Sequence, residues 1–225
     1  MKCVNLFLIA IFVLISSVSY AQDYSLKFGL SQIPFANLPY KDRYLPGGRT
    51  DGYIIDFDPN IEGKMYEDLQ CQQYSLAKND QDFMPQVYLK VKLSNGLYLG
   101  ALSFGGCTEY RTDVLFVSDM NGNVKDTLES CVLNGELAVK QYEVKSTEEV
   151  IIYQMIFEMP MSLKWTEYSG KAKALIGHIK KTTYRISSEG KFVKVNEQKT
   201  GTKGVTPYML TTKNLWNPED FNMSY

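Results

Sequence analysis

One histidine, His178, is all that this chain offers for a Ser-His-Asp or Cys-His site. It lies in an apolar, β-prone stretch, Ala174-Leu175-Ile176-Gly177-His178-Ile179, beside Lys180 and Lys181. That setting reads as a half-buried strand histidine, and zinc sites built on several histidines are excluded. Cys107 follows Gly105-Gly106, where backbone N–H groups could face an oxyanion. The histidine that such a nucleophile would need stands far along the chain, so the Gly-Gly-Cys stretch reads as a structural loop between hairpins. Asp56, Asp58, Asn60 and Glu67 carry part of the spacing of a calcium loop. Ile61 occupies the position where that loop turns on glycine, and Pro59 stiffens its centre. The same residues are explained by a strand end followed by a helix cap. Neither GxxxxGK[ST] nor GxGxxG occurs, so nothing in the sequence cradles a phosphate. No residue is therefore assigned a catalytic role, no metal ligand is assigned and no cofactor is expected.

The aromatic residues are more suggestive. The chain holds 16 tyrosines and 2 tryptophans. Trp165 and Tyr168 share the polar stretch 159–173, and an aromatic loop on a β-scaffold is a common way to stack on a sugar or a peptide. These two are the candidate ligand-binding residues. The competing reading is that the rings fill sheet faces, as tyrosines do in most β proteins.

The elements that must position these residues are strands. Val87, Leu89, Val91 and Leu93 alternate with Tyr88, Lys90 and Lys92, a period of two with one dry face and one wet face. Ser94-Asn95-Gly96 then breaks the pattern, and Leu97 to Ala101 returns as a hairpin arm. Val114 to Val117 is apolar throughout, which predicts a strand covered on both faces. Asp119-Met120-Asn121-Gly122-Asn123 turns it, and Val124 to Leu128 runs back. Leu137 to Val144 and Val150 to Phe157 form a third hairpin whose second arm belongs in mid-sheet. Leu175 to Ile186 and Lys191 to Glu197 form a fourth around Ser188-Glu189-Gly190. These signals predict a mainly β fold: an antiparallel meander of about eight to ten strands, closed as a sandwich or barrel-like sheet, with at most one or two short helices. Upstream, residues 24–28 and 53–57 read as further strands, and 60–76 as a helix weakened by Gly63. Asn217-Pro218 predicts a single helical turn near the C-terminal end.

Residues 1–21 read as a secretory signal peptide: Lys2, an apolar run from Leu6 to Ile15, and Ser19-Tyr20-Ala21 before a cleavage point at Gln22. A spanning helix needs about 20 apolar residues, twice that run. Residues 22–225 are read as one domain without a transmembrane segment, exported to the periplasm, the outside of the cell or its surface. Without Lys2, 23 basic residues face 25 acidic ones, a balance that argues against nucleic acid as a partner. Of the exported cysteines, Cys71, Cys107 and Cys131, the last two flank a hairpin and could form a disulfide; three reduced, buried thiols are the alternative. The functional expectation is a non-enzymatic binding or interaction module for a glycan, a peptide or a protein. A hydrolase using two carboxylates is the alternative, and a small outer-membrane barrel is a third and weaker reading.

Overall fold

The computed structural model describes residues 25–42, 52–54, 85–107, 110–134, 137–158 and 174–225. The expected helix over 60–76, the calcium-like spacing at 56–67, Cys71, the signal segment and the loop 159–173 all lie outside them. The described strands are β1 (Tyr40–Lys41), β2 (Tyr53–Ile54), β3 (Gln86–Lys92), β4 (Tyr98–Cys107), β5 (Tyr110–Ser118) and β6 (Val124–Asn134). They continue with β7 (Leu137–Val144), β8 (Glu149–Phe157), β9 (Leu175–Ile186), β10 (Phe192–Lys199) and β11 (Lys203–Val205). Two short helices, α1 (Leu26–Gln32) and α2 (Pro207–Thr212), and a 3-10 turn (Pro218–Phe221) complete the order. Among the described residues, no helix is long and apolar enough to cross a membrane.

The four hairpins read from the sequence are β3–β4, β5–β6, β7–β8 and β9–β10, all antiparallel. Gly96, Gly122 and Gly190 sit at the turns with φ of +82°, +83° and +81°, a region that L side chains seldom enter. Hydrogen bonding runs in one path from β2 through β3 to β10, with β1 added to β7 and β11 to β9. The path has a corner. β6 meets β7 only through Val132↔Lys140, Leu133↔Ala138 and Asn134↔Leu137, next to the connection between them. Beyond that point β1 takes over the edge of β7, with Tyr40 opposite Val144 and Lys41 opposite Glu143. The strands β3–β6 and β7–β10 therefore fold onto each other as a sandwich-like pair of layers.

Alternation fills three layers of core. Leu89, Val91, Leu99, Leu115 and Val117 from the first half pack against Tyr142, Val144, Val150 and Ile152 from the second. On the outer side of the first half, Val87, Leu102, Val114 and Phe116 receive Leu26, Leu30 and Ile33 of the α1 segment. On the outer side of the second half, Ile151, Tyr153, Met155 and Ile179 are covered by Leu210, Leu215, Phe221 and Met223 of the C-terminal segment. Gln141 fixes that segment: its buried side chain accepts from the Leu215 N–H at 2.6 Å and donates to Asn214. The run Val114–Val117 is fully buried, as its lack of alternation predicts, and β8 lies between β7 and β9.

Two expectations are corrected. Residues 26–28 are helical rather than extended. Leu26, Leu30 and Ile33 recur at helical spacing, and the Ser25 side chain caps the first turn by accepting from the Phe28 N–H at 3.2 Å. Tyr88, read as lying on the wet side of β3, points inward. A bulge between Val87 and Leu89 turns both Tyr88 and Leu89 to the inner core and leaves Val87 facing α1. The Tyr88 hydroxyl donates to Asp113 Oδ2 at 2.7 Å and lies 2.7 Å from the Tyr142 hydroxyl across the layers.

Two predictions follow from the packing. A methyl group at Gly100 would stand 2.2 Å from Phe116 Cζ, and Phe116 is completely buried. Gly100→Ala is expected to lower stability by about 1–3 kcal/mol in urea unfolding; a change below about 0.5 kcal/mol would mean that the ring has room to move. Tyr153 is 5% exposed and donates to Glu143 Oε2 at 2.9 Å. Burial first, and then the charge on Glu143, push its pKa far above the ordinary tyrosine range. The fold thus holds the neutral phenol, a contribution that is complete below the unfolded pKa of about 10 and lost as pH rises beyond it. The urea midpoint should fall above about pH 10, and Tyr153→Phe should flatten that fall; an equally steep fall in the variant would remove Tyr153 as its source.

Candidate functional site

Exposed apolar side chains and cations converge on the outer side of the first half, next to α1. The helix cannot continue past Gln32, because Ile33 precedes Pro34 and takes an extended conformation. The extended residues then run beside β3, where the Ala36 N–H donates to the Lys90 carbonyl at 2.8 Å. This path carries Phe35 across the sheet. Its ring stacks on Tyr98 with centroids 6.2 Å apart and planes 20° apart, yet Phe35 remains 56% exposed.

Lys90 and Tyr98 project from neighbouring strands on the outer face, β3 and β4. The Lys90 ammonium stands 4.5 Å from the centre of the Phe35 ring and donates to the Leu30 carbonyl at 2.7 Å. That carbonyl belongs to the last turn of α1, where the backbone dipole favours a cation. Partial burial lowers the Lys90 pKa from its usual value. The ring and the carbonyl offset that desolvation.

The β5–β6 turn closes the third side. Asp119 organises it by accepting from the Asn121 and Asn123 N–H groups at 2.8 and 3.1 Å and from Asn123 Nδ2 at 2.8 Å. The side-chain bond from Asn123 is the main reason that the Asp119 carboxyl titrates below its usual range. The alternating Asp119, Asn121 and Asn123 are thus the ligands of a turn. The turn abuts α1, since a methyl group on Gly122 would come within 3.1 Å of the Lys27 nitrogen. Met120 at its tip is 69% exposed. Together Lys27, Leu30, Ser31, Phe35, Lys90, Tyr98 and Met120 line a groove of about 190 Å³.

Trp165 and Tyr168 lie outside the described residues. Cys107 stands on β4 and Cys131 on β6, with β5 between those strands, and their side chains also fall outside the described set. His178 lies on β9 opposite Ile156, half-buried, as its strand setting predicts. Asp42, Asp113 and Glu143 are buried, and the last two have these partners. Asp113 accepts from Tyr88, and Glu143 accepts from Tyr153 with Lys41 at 3.9 Å. Among the described residues, no three His, Cys, Asp or Glu side chains gather in a way that could hold a metal ion.

Sequence reasoning assigned no role to Phe35, Lys90, Tyr98 or Met120. Lys90 belongs to the polar parity of β3, and Tyr98 follows an Asn-Gly turn, so their shared face could be inferred from the hairpin register. The passage of Phe35 over that face depends on the α1 segment docking there, and the β-like reading of residues 24–28 concealed it. Comparison of the chain with protein-family models, with curated proteins and with solved structures finds no match in any of the three.

Proposed function

We propose that the chain is an exported, non-enzymatic binding module, and that the groove beside α1 is its contact site. One observation carries the reading. Phe35 keeps more than half of its surface in water although it is the residue that the α1 segment lays across the sheet. Burying a ring of this kind is worth several kcal/mol in a core or an interface, and leaving it exposed forgoes that stabilisation. Its neighbours hold it in place. Tyr98 stacks beneath the ring, the Lys90 ammonium fixes its approach, and the Ala36 backbone bond anchors the segment. A rigidly held aromatic side chain is the usual anchor of a recognition surface, because little conformational freedom remains to be lost on binding. Export rests on the signal-like residues 1–21, so the mature chain would begin at Gln22.

Two measurements test this. Intact-mass analysis of protein recovered from the exported fraction of an expressing bacterium should give a chain starting at Gln22; a chain retaining Met1 to Ala21 would contradict export through cleavage. Saturation-transfer NMR against a mixed set of small aromatic and aliphatic fragments should detect binding to the wild type. Phe35→Ala should weaken it at least about tenfold, with a stability change of only about 0.5 kcal/mol. Equal fragment binding by the Phe35→Ala chain would overturn the assignment of the groove.

A further inference from the structure

We infer that the groove takes a small monocarboxylate with an apolar or aromatic body, its carboxylate on Lys90 and its body against Phe35 and Met120. The inference rests on the binding-module reading above and adds the chemical class of the ligand. Charge is the first argument. The lining includes two lysines, Lys27 and Lys90, and no aspartate or glutamate. Lys90 is the better placed of the two, because it is half-buried where Lys27 is exposed, and its ammonium stands over the Phe35 ring. An ion pair formed there is worth more than one in open water. The ammonium carries three donors, and among the described residues one hydrogen bond, to the Leu30 carbonyl, occupies it. An anionic oxygen beside the Phe35 ring edge would meet the remaining donors while the ligand body covers the ring.

Size is the second argument. Pockets for drug-sized ligands and cofactors run from roughly 300 to 1,000 Å³, whereas this groove holds about 190 Å³. One ring or a short alkyl chain fits; a nucleotide or an extended oligosaccharide does not. Polarity is the third. A sugar presents hydroxyl groups that need acceptors as well as donors, and the groove has no carboxylate or carboxamide side chain to accept from them. The Ser31 hydroxyl donates to the Phe28 carbonyl at 2.6 Å and accepts from Gln32 Nε2 at 2.9 Å. Met120, exposed and unbranched, can adjust to ligand bodies of differing shape.

The experiment is a calorimetric titration of the intact mature chain at low ionic strength with phenylacetate, phenylacetamide and phenethylamine, which share one body and differ in charge. The expected result is phenylacetate binding at least about tenfold more tightly than the amide, from one charge-assisted hydrogen bond. The amine should be the weakest, and the acid's advantage should shrink in about 1 M salt. Lys90→Met, which keeps an apolar stem, should abolish the difference between acid and amide; Lys90→Arg should restore the preference. Phe35→Ala should weaken acid and amide together. Equal binding of acid and amide to the wild type, lost in Phe35→Ala, would overturn the ligand class and leave the binding-module reading standing. Binding of none of the three probes, or only of a longer peptide ending in a free phenylalanine carboxylate, would overturn the small-acid proposal.

Discussion

A meander of hairpins can bury its inner face only by folding back on itself, and here the fold-back depends on contacts between the two halves of one hydrogen-bonded path. The β6–β7 corner supplies few ladder bonds, so the inner core must hold the layers together. Most of that core is aliphatic and without direction. At its centre is a polar chain with direction: Asp113 on β5, Tyr88 on β3 and Tyr142 on β7, linked by two contacts of 2.7 Å. Sealed away from water, these groups cannot exchange a protein partner for a solvent one, so only one relative placement of the layers satisfies them. Two bulges make the chain possible. One turns Tyr88 inward on β3. The other, on β6 opposite Asp113 and Val114, lets the Ser130 hydroxyl donate to the Asp113 carbonyl at 3.1 Å. The polar chain thus fixes a geometry that aliphatic packing alone would leave free to slide.

The same constraint explains where a surface site can form. With the inner faces facing each other, the outer faces carry apolar residues that need covers of their own, and each half receives one from a chain end. The C-terminal segment is pinned by Gln141 and seals its half closely; Leu210 and Leu215 are wholly buried. The α1 segment covers less. Its helix is short, and the extended residues after it lie beside β3 with a backbone bond to Lys90. The groove lies at the margin of this smaller cover. A lysine that would otherwise sit in water is drawn under an aromatic ring there, and its burial is tolerated because a helix-end carbonyl and a ring face meet the charge.

Much of the architecture was legible in the residues, for a physical reason. Alternation reports which face of a strand is dry, and Asn-Gly or Glu-Gly pairs report where φ must turn positive, so β3 to β10 could be placed from local signals alone. The misreadings share a cause as well. Tyr88 was assigned outward because strict alternation allows no extra residue, and a bulge shifts the parity without leaving a local mark. Residues 26–28 looked strand-like because three or four residues are too few to separate a helical period from a β period. The groove was not legible at all. It joins Phe35, Lys90, Tyr98 and Met120 from four separate stretches, and only docking of α1 on the outer face brings them together. What drew attention in the sequence, Trp165 and Tyr168, was conspicuous by residue type, whereas the groove arises from placement.

The two halves meet through the Tyr88 and Tyr142 hydroxyls, and a double-mutant cycle between Tyr88→Phe and Tyr142→Phe measures that contact. If the hydroxyls meet across the layers at 2.7 Å, the two substitutions should be coupled by at least about 0.5 kcal/mol in urea unfolding. Additivity within about 0.3 kcal/mol would mean that the residues are apart and that the layers do not face each other in this register.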